Sequence, residues 1–333
     1  MTPTSQAMPA GSLSLTSYRI TLIARETLDL PSYLGSTLRG AFGHAFRAVA
    51  CPAPRGLECP DPSQCAYHLI FETSPPPGSE ALRTHDEVPR PFVMAPCPTS
   101  TNESEQVRRS IFRQGEELRF ELTLIGRARE FFPYFVVALR EVNTIGRGRR
   151  AVELSRIDAL DPMSGKTQLV YDANENLVRE YSQSLSLEDC ARAPAPHGPI
   201  TIEFLTQTRL KHEGRFVRVP EFQILFRRLL GRLSSLARFH CGGPLDLDFR
   251  GLIDQAASIR LIQDDTKWTT WQRYSSHQDR RMEWEGIIGC AIYEGDFAPF
   301  WQHLHFGQFI HLGHGATFGL GKYRVGKTGI VTN

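Results

Sequence analysis

Tyr18-Arg-Ile-Thr-Leu-Ile-Ala24, followed after Pro31 by Leu34-Gly-Ser-Thr-Leu-Arg-Gly-Ala-Phe-Gly-His-Ala-Phe-Arg47, carries the reading of the fold. In the first run β-branched and apolar residues alternate with Arg19 and Thr21, the period-two pattern of a half-buried strand, and Pro31 ends it. Between Ser32 and Ala50 the period changes. Leu34, Leu38, Phe42, Ala45, Phe46 and Val49 recur at three- and four-residue spacing and so share one face of a helix, while Ser36, Gly40, Gly43, His44 and Arg47 occupy the other.

Working outward, a proline-rich stretch with Cys51, Cys59 and Cys65 leads into the strand-like Tyr67-His-Leu-Ile-Phe71, and Pro91–Ala95 reads as another short strand. Leu118–Ile125 alternates as a strand. Phe131–Ile145 reads as a helix with Pro133 in its first turn and Gly146 at its end, and the basic turn Gly146-Arg-Gly-Arg-Arg150 leads to a strand over Ala151–Ile157. The second half repeats the order. Ile200–Leu210 is a strand with a turn at Glu213-Gly214 after it, and Pro220 opens a helix whose buried stripe is Phe222, Leu225, Leu229, Leu233 and Leu236. Strand-like runs at Ala257–Gln263 and Glu285–Tyr293, a short helix over Phe297–Leu304, a glycine-rich turn and a last strand complete it.

β-α-β-β-α-β read twice, with one strand to spare in the first half, predicts an α+β chain of two tandem ferredoxin-like (RRM-like) domains. The expected boundaries are a disordered leader over 1–12, a first domain over 13–182 with the cysteine loop as an insertion, a linker over 183–199 rich in Ser, Pro and Ala, and a second domain over 200–333. The leader lacks the basic start and apolar middle of a secretory signal, and no apolar run approaches the roughly 18–20 residues of a spanning helix. A cytoplasmic protein with no membrane partner is the expectation.

The net charge of +2 excludes a strongly basic chromatin-type protein but permits a local cationic stripe. Lys166, Lys211, Lys267, Lys322 and Lys327 are the only lysines, so 33 of the 38 basic residues are arginine. The guanidinium fork pairs two phosphate oxygens and stacks on bases, which suits RNA, although genomic base composition produces the same bias.

Leu-Arg-Gly-Ala-Phe-Gly at 38–43 with the cysteine loop and Cys65-Ala-Tyr67, then Thr208-Arg-Leu210, Tyr274-Ser-Ser-His-Gln278, Gly286-Ile-Ile-Gly289 and above all Gly313-His-Gly-Ala-Thr-Phe-Gly-Leu-Gly-Lys-Tyr323, fall in one order between residues 18 and 325. In these blocks the chain resembles the CRISPR repeat-processing endoribonucleases of the RAMP superfamily. The resemblance implies two ferredoxin-like domains, recognition of CRISPR repeat RNA as a stem-loop with its flanking strand, and cleavage to a 5′-hydroxyl product. A noncatalytic RAMP subunit that holds guide RNA within a CRISPR effector complex would share the same fold and basic surfaces.

RNA is cut without metal when a base removes the 2′-hydroxyl proton, that oxygen attacks the adjacent phosphate, and an acid protonates the leaving 5′-oxygen, giving 2′,3′-cyclic phosphate and 5′-hydroxyl ends. Histidine, with an ordinary pKa near 6.5, serves either role. His44 is the candidate, on the polar helix face beside Gly40 and Gly43, in a region from which the resembled family often takes a histidine; Arg39 and Arg47 are its candidate phosphate partners. His314 is the alternative. The turn holding Gly313, Gly315, Gly319 and Gly321 is a candidate anion cradle, with His311, His314, Lys322 and Arg324 as further RNA contacts; Gly321-Lys-Tyr-Arg-Val325 lacks the Ser/Thr and the helix of a nucleotide-triphosphate loop. On the second long helix Arg227, Arg228, Arg232 and Arg238 form a candidate basic edge for stem phosphates, and Trp268, Trp271 and Trp301 candidate stacking rings.

Cys51, Cys59 and Cys65 would hold zinc if a fourth donor joined them, with Cys97, His68 and His85 in view. Related sequences often carry four cysteines in this loop, and Gly56 stands in the remaining place. Buried free thiols are therefore the expectation, with no metal and no cofactor. The histidines at 303, 305, 311 and 314 straddle a helix end and a turn, and no metal is assigned there either.

Overall fold

The computed structural model describes residues 12–54, 56–73, 88–97, 109–275 and 280–328. His85, the tip 276–279 and all but the last residue of the expected leader lie outside the described residues.

Alternation in the opening run puts Tyr18, Ile20 and Leu22 on the core face of β1 (Ser14–Ala24). After it come α1 (Gly35–Ala50), β2 (Phe92–Pro96), β3 (Glu117–Ile125), α2 (Phe132–Arg140) and β4 (Arg150–Leu160). The antiparallel sheet runs β2-β3-β1-β4 and continues into 167–172 and 177–178. Its register sets Ile20 opposite Phe120 and Leu22 opposite Leu118, so both strands turn apolar side chains the same way. On the other face Ser17 and Thr123 share a 3.0 Å hydrogen bond.

α1 and α2 supply the second layer. Phe42 and Phe46 of α1 meet Phe135 of α2 at ring separations of 5.3 and 4.8 Å, and Phe71 joins Phe46 at 5.4 Å and Phe92 at 4.8 Å. Offset and tilted rings at such separations add about 0.5–1.5 kcal/mol per pair beyond their burial. The stripe expected from the sequence is this face: Leu38, Phe42 and Phe46 are buried, with Ala45 and Val49 packed beside them.

Three local readings change. Residues 67–71 are not a strand, since Ala66–Ile70 forms a short helix whose Ala66 and Ile70, four residues apart, are both buried. α2 stops at Arg140 and not at Ile145, because the β-branched Thr144-Ile145 pairs with Arg150-Ala151 in a small hairpin. Within the expected linker, Leu187–Ala191 is a helical turn with Leu187 and Cys190 buried. Ser186 and Asp189 cap it reciprocally, with the Asp189 N–H donating to Ser186 Oγ at 3.1 Å and the Ser186 N–H to Asp189 Oδ2 at 2.9 Å.

The chain divides into one unit of residues 14–185 with Phe239–Cys241 and another of Leu13, 186–238 and the residues from 242 onward. In the first, His240 Nε2 meets the Pro89 carbonyl oxygen at 2.7 Å. The second unit repeats the plan with β5 (Ile200–Thr208), α3 (Phe222–His240, whose last two residues belong to the first unit), β6 (Arg260–Ser275), β7 (Arg280–Glu294), α4 (Trp301–Ile310) and β8 (Tyr323–Lys327), ordered β6-β7-β5-β8. Phe222 and Phe226 of α3 pack edge-on to Phe300 at 5.3 and 4.8 Å. Each unit is a βαββαβ ferredoxin-like domain with its first strand between the third and the fourth.

The second domain departs from the sequence reading at its edges. Phe249–Ala256 is a helix capped by Asp248, whose side chain accepts from the Gly251 N–H at 2.9 Å. β6 and β7 are far longer than their apolar segments, because Asp264, Asp265 and Lys267 on one arm break the alternation that period-two reading depends on. α4 begins at Trp301, four residues after the expected Phe297, and runs to Ile310.

Candidate active site

α1 delivers His44 to the surface. Its buried stripe faces the sheet, so the opposite side carries an exposed imidazole, and Gly40 lies one turn before it. A Cβ at Gly40 would meet nothing within 4 Å, whereas one at Gly43 would come within 3.1 Å of the Phe71 ring. Only Gly40 leaves open space of the kind read for both glycines; Gly43 lets Phe71 close on the helix.

The two arginines of this helix are held and not free-swinging. Arg39 sits over the Phe71 ring at 5.5 Å. Arg47 lies over Tyr67 at 5.2 Å and donates to the Leu57 carbonyl oxygen at 3.1 Å. Its hydrogen bond with Tyr67 lifts its pKa further, so the charge one turn beyond His44 is permanent and oriented.

In the second domain the glycine-rich turn is built against β5. The β5–β7 pairing is interrupted between Phe204 and Thr208, and the intervening segment binds the turn: the Leu205 N–H donates to the Lys322 carbonyl at 2.9 Å, Thr206 Oγ1 to the Gly319 carbonyl at 3.0 Å, and the Gly321 N–H to the Gln207 carbonyl at 3.1 Å. The Lys322 N–H returns to Thr206 Oγ1 at 2.9 Å, and the Phe318 and Gly319 amides are used inside the turn. Gly319, Gly321 and the Lys322 backbone thus serve the turn itself and not an anion. Gly313, His314 and Gly315 form its outer part, with His314 exposed and edge-on to Phe216 at 5.7 Å.

Other expected contacts are structural. Arg232 donates from Nε to the Ile310 carbonyl at the end of α4, at 3.0 Å, and desolvation draws its pKa down to about 10, so it is no part of an exposed basic edge. A guanidinium at a helix C-terminus satisfies orphan carbonyls. Arg228 donates from Nε to the Lys211 carbonyl, tying α3 to the hairpin 210–212/215–217. His311 is buried against the Leu320 carbonyl with its pKa pushed down to about 3 by burial, and burial takes His303 down to about 4. Neither exchanges a proton near neutrality, and His311 is not an RNA contact. Trp301 stacks on His305 at 5.9 Å, while the side chain of Trp271 lies outside the described residues.

A surface that the sequence reading missed lies on that hairpin. Arg209 sits over the Phe216 ring at 4.1 Å, with His314 on the same ring, and Arg218 lies over Trp268 at 5.4 Å. Arg215 and Arg218 are exposed. The signal was present as Arg209-Leu-Lys-His-Glu-Gly-Arg-Phe-Val-Arg218, basic residues about a turn with one aromatic among them. Guanidinium and ring faces side by side suit a nucleic-acid strand through stacking and phosphate pairing.

A family model described as CRISPR-associated endoribonuclease Cas6 matches residues 202–323, and one described as an N-terminal domain matches residues 13–183. Among solved structures, a Cas6 product complex superposes with a TM-score of 0.56 at 16% identity, covering 93% of this chain and 99% of that one. Thermus thermophilus Cas6 gives 0.54 at 16%, with 95% and 100% covered, and a second Cas6 product complex 0.51 at 16%, with 94% and 100%. No curated protein matches the chain.

Proposed function

We propose that this chain, whose residues 202–323 match the Cas6 family of CRISPR-associated endoribonucleases, cuts each CRISPR repeat by attack of a ribose 2′-hydroxyl on the neighbouring phosphate with His44 moving a proton. The O2′–P bond forms as the P–O5′ bond breaks. His44 takes the proton from O2′ or gives one to O5′, and the ends are a 2′,3′-cyclic phosphate and a 5′-hydroxyl. Arg47, oriented by Tyr67 and Leu57, and Arg39 over Phe71 place fixed positive charge near the same helix face, where charge gathers on the phosphorane. What carries this reading is the exposed imidazole at position 44 with the side-chain-free Gly40 one turn away.

CRISPR repeat RNA is the substrate, taken as a stem-loop or its flanking strand, with a CRISPR effector complex as the further partner. No helix among the described residues is long and apolar enough to cross a membrane. The test is cleavage of the cognate repeat in excess EDTA. Specific cutting with 5′-hydroxyl and cyclic-phosphate ends is expected, and activity that required added magnesium would overturn the chemistry.

The hairpin of the second domain is the proposed RNA-binding face, with Arg209, Arg215, Arg218 and Phe216 on it and His314 beside them. Arg218→Ala is expected to weaken repeat binding and to reduce the salt slope by about 0.7, the share of a single phosphate pairing on a single strand, leaving thermal unfolding unchanged. Arg232→Ala is expected to do the reverse, costing about 1–3 kcal/mol of stability through the orphaned Ile310 carbonyl. Filter binding across a salt series and thermal unfolding separate the two, and an unaltered affinity for Arg218→Ala would remove that face from the RNA path.

A further inference from the structure

Cys51, Cys59, Cys65 and His68 each present one ligand atom, and the four atoms lie within 4.8 Å of one another. They converge because two short segments end side by side. Cys51 is the C-cap of α1, its N–H on the Arg47 carbonyl at 3.0 Å, while Cys65 is the N-cap of the helix 66–70 and donates its thiol to the Ala50 carbonyl at 3.5 Å. His68 rides on that helix and Cys59 comes from the loop between. The sequence left the fourth donor open among Cys97, His68 and His85, and the meeting of helix end, loop and helix start selects His68.

His68 gives a second, independent observation. Its Nε2 lies 3.3 Å from Glu72 Oε2, while its Nδ1 is buried and, among the described residues, has no hydrogen-bond partner. A buried nitrogen without a partner costs about 1–3 kcal/mol. An imidazole held by a carboxylate on one nitrogen, with its other nitrogen bare among thiols, is the arrangement in which a carboxylate behind the ring orients a metal-ligating histidine. Free thiols would leave Nδ1 unsatisfied, and a disulfide between any two of the cysteines would do the same and strand the third.

We propose that Cys51, Cys59, Cys65 and the Nδ1 of His68 hold one zinc ion, with Glu72 fixing the imidazole. Three thiolates and an imidazole form a tetrahedral Cys₃His set whose donor-to-donor edges are about 3.5–3.8 Å for bonds of about 2.0–2.3 Å, so the four groups close on the ion with shifts on the order of 1 Å or less. The fourth donor comes from the helix beyond Cys65, not from the loop position where Gly56 stands. All four positions are filled by protein, so the ion is structural and offers no place for substrate or water. It would clamp the end of α1. Glu72 also accepts from the Tyr67 hydroxyl at 3.1 Å, and Tyr67 carries Arg47, so ion, histidine, carboxylate, phenol and guanidinium form one chain to the helix bearing His44.

The full chain, purified without chelator from zinc-supplemented cells, should carry one zinc per chain by elemental analysis and native mass spectrometry. Zinc-stripped protein given Co²⁺ should develop the intense visible bands of tetrahedral thiolate-bound cobalt. Cys59→Ser, the ligand change least embedded in packing because Cys59 is only half-buried, should lose the metal while keeping its circular-dichroism spectrum. Glu72→Gln should bind zinc about 10–100-fold more weakly in competition with a chromogenic chelator. A folded wild-type chain that takes up neither zinc nor cobalt stoichiometrically, or a Cys59→Ser variant that binds as tightly as wild type, overturns the site. Repeat cleavage can fail independently of either result, because the readout here is bound metal.

Discussion

Replacing His44 by alanine is expected to slow single-turnover cleavage of the cognate repeat by about 10²–10⁴-fold, the range a positioned proton-transfer group contributes, with RNA affinity little changed. The structure narrows the field of rivals. His303 and His311 are buried with pKa values far below neutrality, His240 is engaged with the Pro89 carbonyl, and His68 faces Glu72 on one side and three thiols on the other. His314, the alternative the sequence named, is exposed on the glycine-rich turn against Phe216. His314→Ala is expected to weaken binding and leave the rate of bound RNA near wild type, because that imidazole sits in a basic and aromatic surface. Quenched-flow measurement with enzyme in excess distinguishes the two. A wild-type rate for His44→Ala with a collapsed rate for His314→Ala would transfer the catalytic assignment.

Gly321→Ala is expected to destabilise the second domain by about 3 kcal/mol or more, or to prevent its folding. Gly321 has a φ of 71°, and a Cβ there would lie 1.7 Å from the Leu312 carbonyl oxygen, an overlap with backbone that no rotamer relieves. The same two residues share a hydrogen bond, the Leu312 N–H donating to the Gly321 carbonyl at 2.9 Å, so the turn cannot open without losing it. Gly326→Ala is the control. It lies in β8, nothing falls within 4 Å of its added Cβ, and no unusual φ is required. Urea unfolding of both variants should show a lowered midpoint only for Gly321→Ala. A wild-type transition there would mean that the turn is remade at little cost and that its glycines serve something other than close packing.

These two expectations rest on different kinds of information. The reason for Gly321 is a close approach between segments nine residues apart, which no local pattern in Leu320-Gly321-Lys322 contains. The reason for His44 is largely local: a helical period of apolar residues assigns the neighbouring positions to the outside. Arg232 shows where the same logic fails. Its position beside the α3 stripe reads as solvent-facing, yet a long flexible side chain goes where a partner waits, and the Ile310 carbonyl at the end of another helix claims it. His311 fails similarly, since a turn rich in glycine reads as exposed while this one is folded onto β5.

Short apolar segments were ambiguous for a simpler reason. Five residues such as Tyr67–Phe71 satisfy strand and helix periods alike, and burial of Ala66 with Ile70 decides for the helix. That choice brings His68 to the cysteines.

Periodicity alone therefore determined the principal strands and helices of both halves, though not the short helices at 66–70, 187–191 and 249–256, together with the buried face of α1 and the outward position of His44, because each depends on residues within one or two turns of each other. The partners of Arg47 and Arg232, the burial of His303 and His311, the packing of the glycine turn and the meeting of Cys51, Cys59, Cys65 and His68 were decided only by the tertiary structure. Each of these needs groups distant along the chain to come within a few ångströms, and side-chain reach and backbone approach at that range are set by packing, to which local sequence periods are blind.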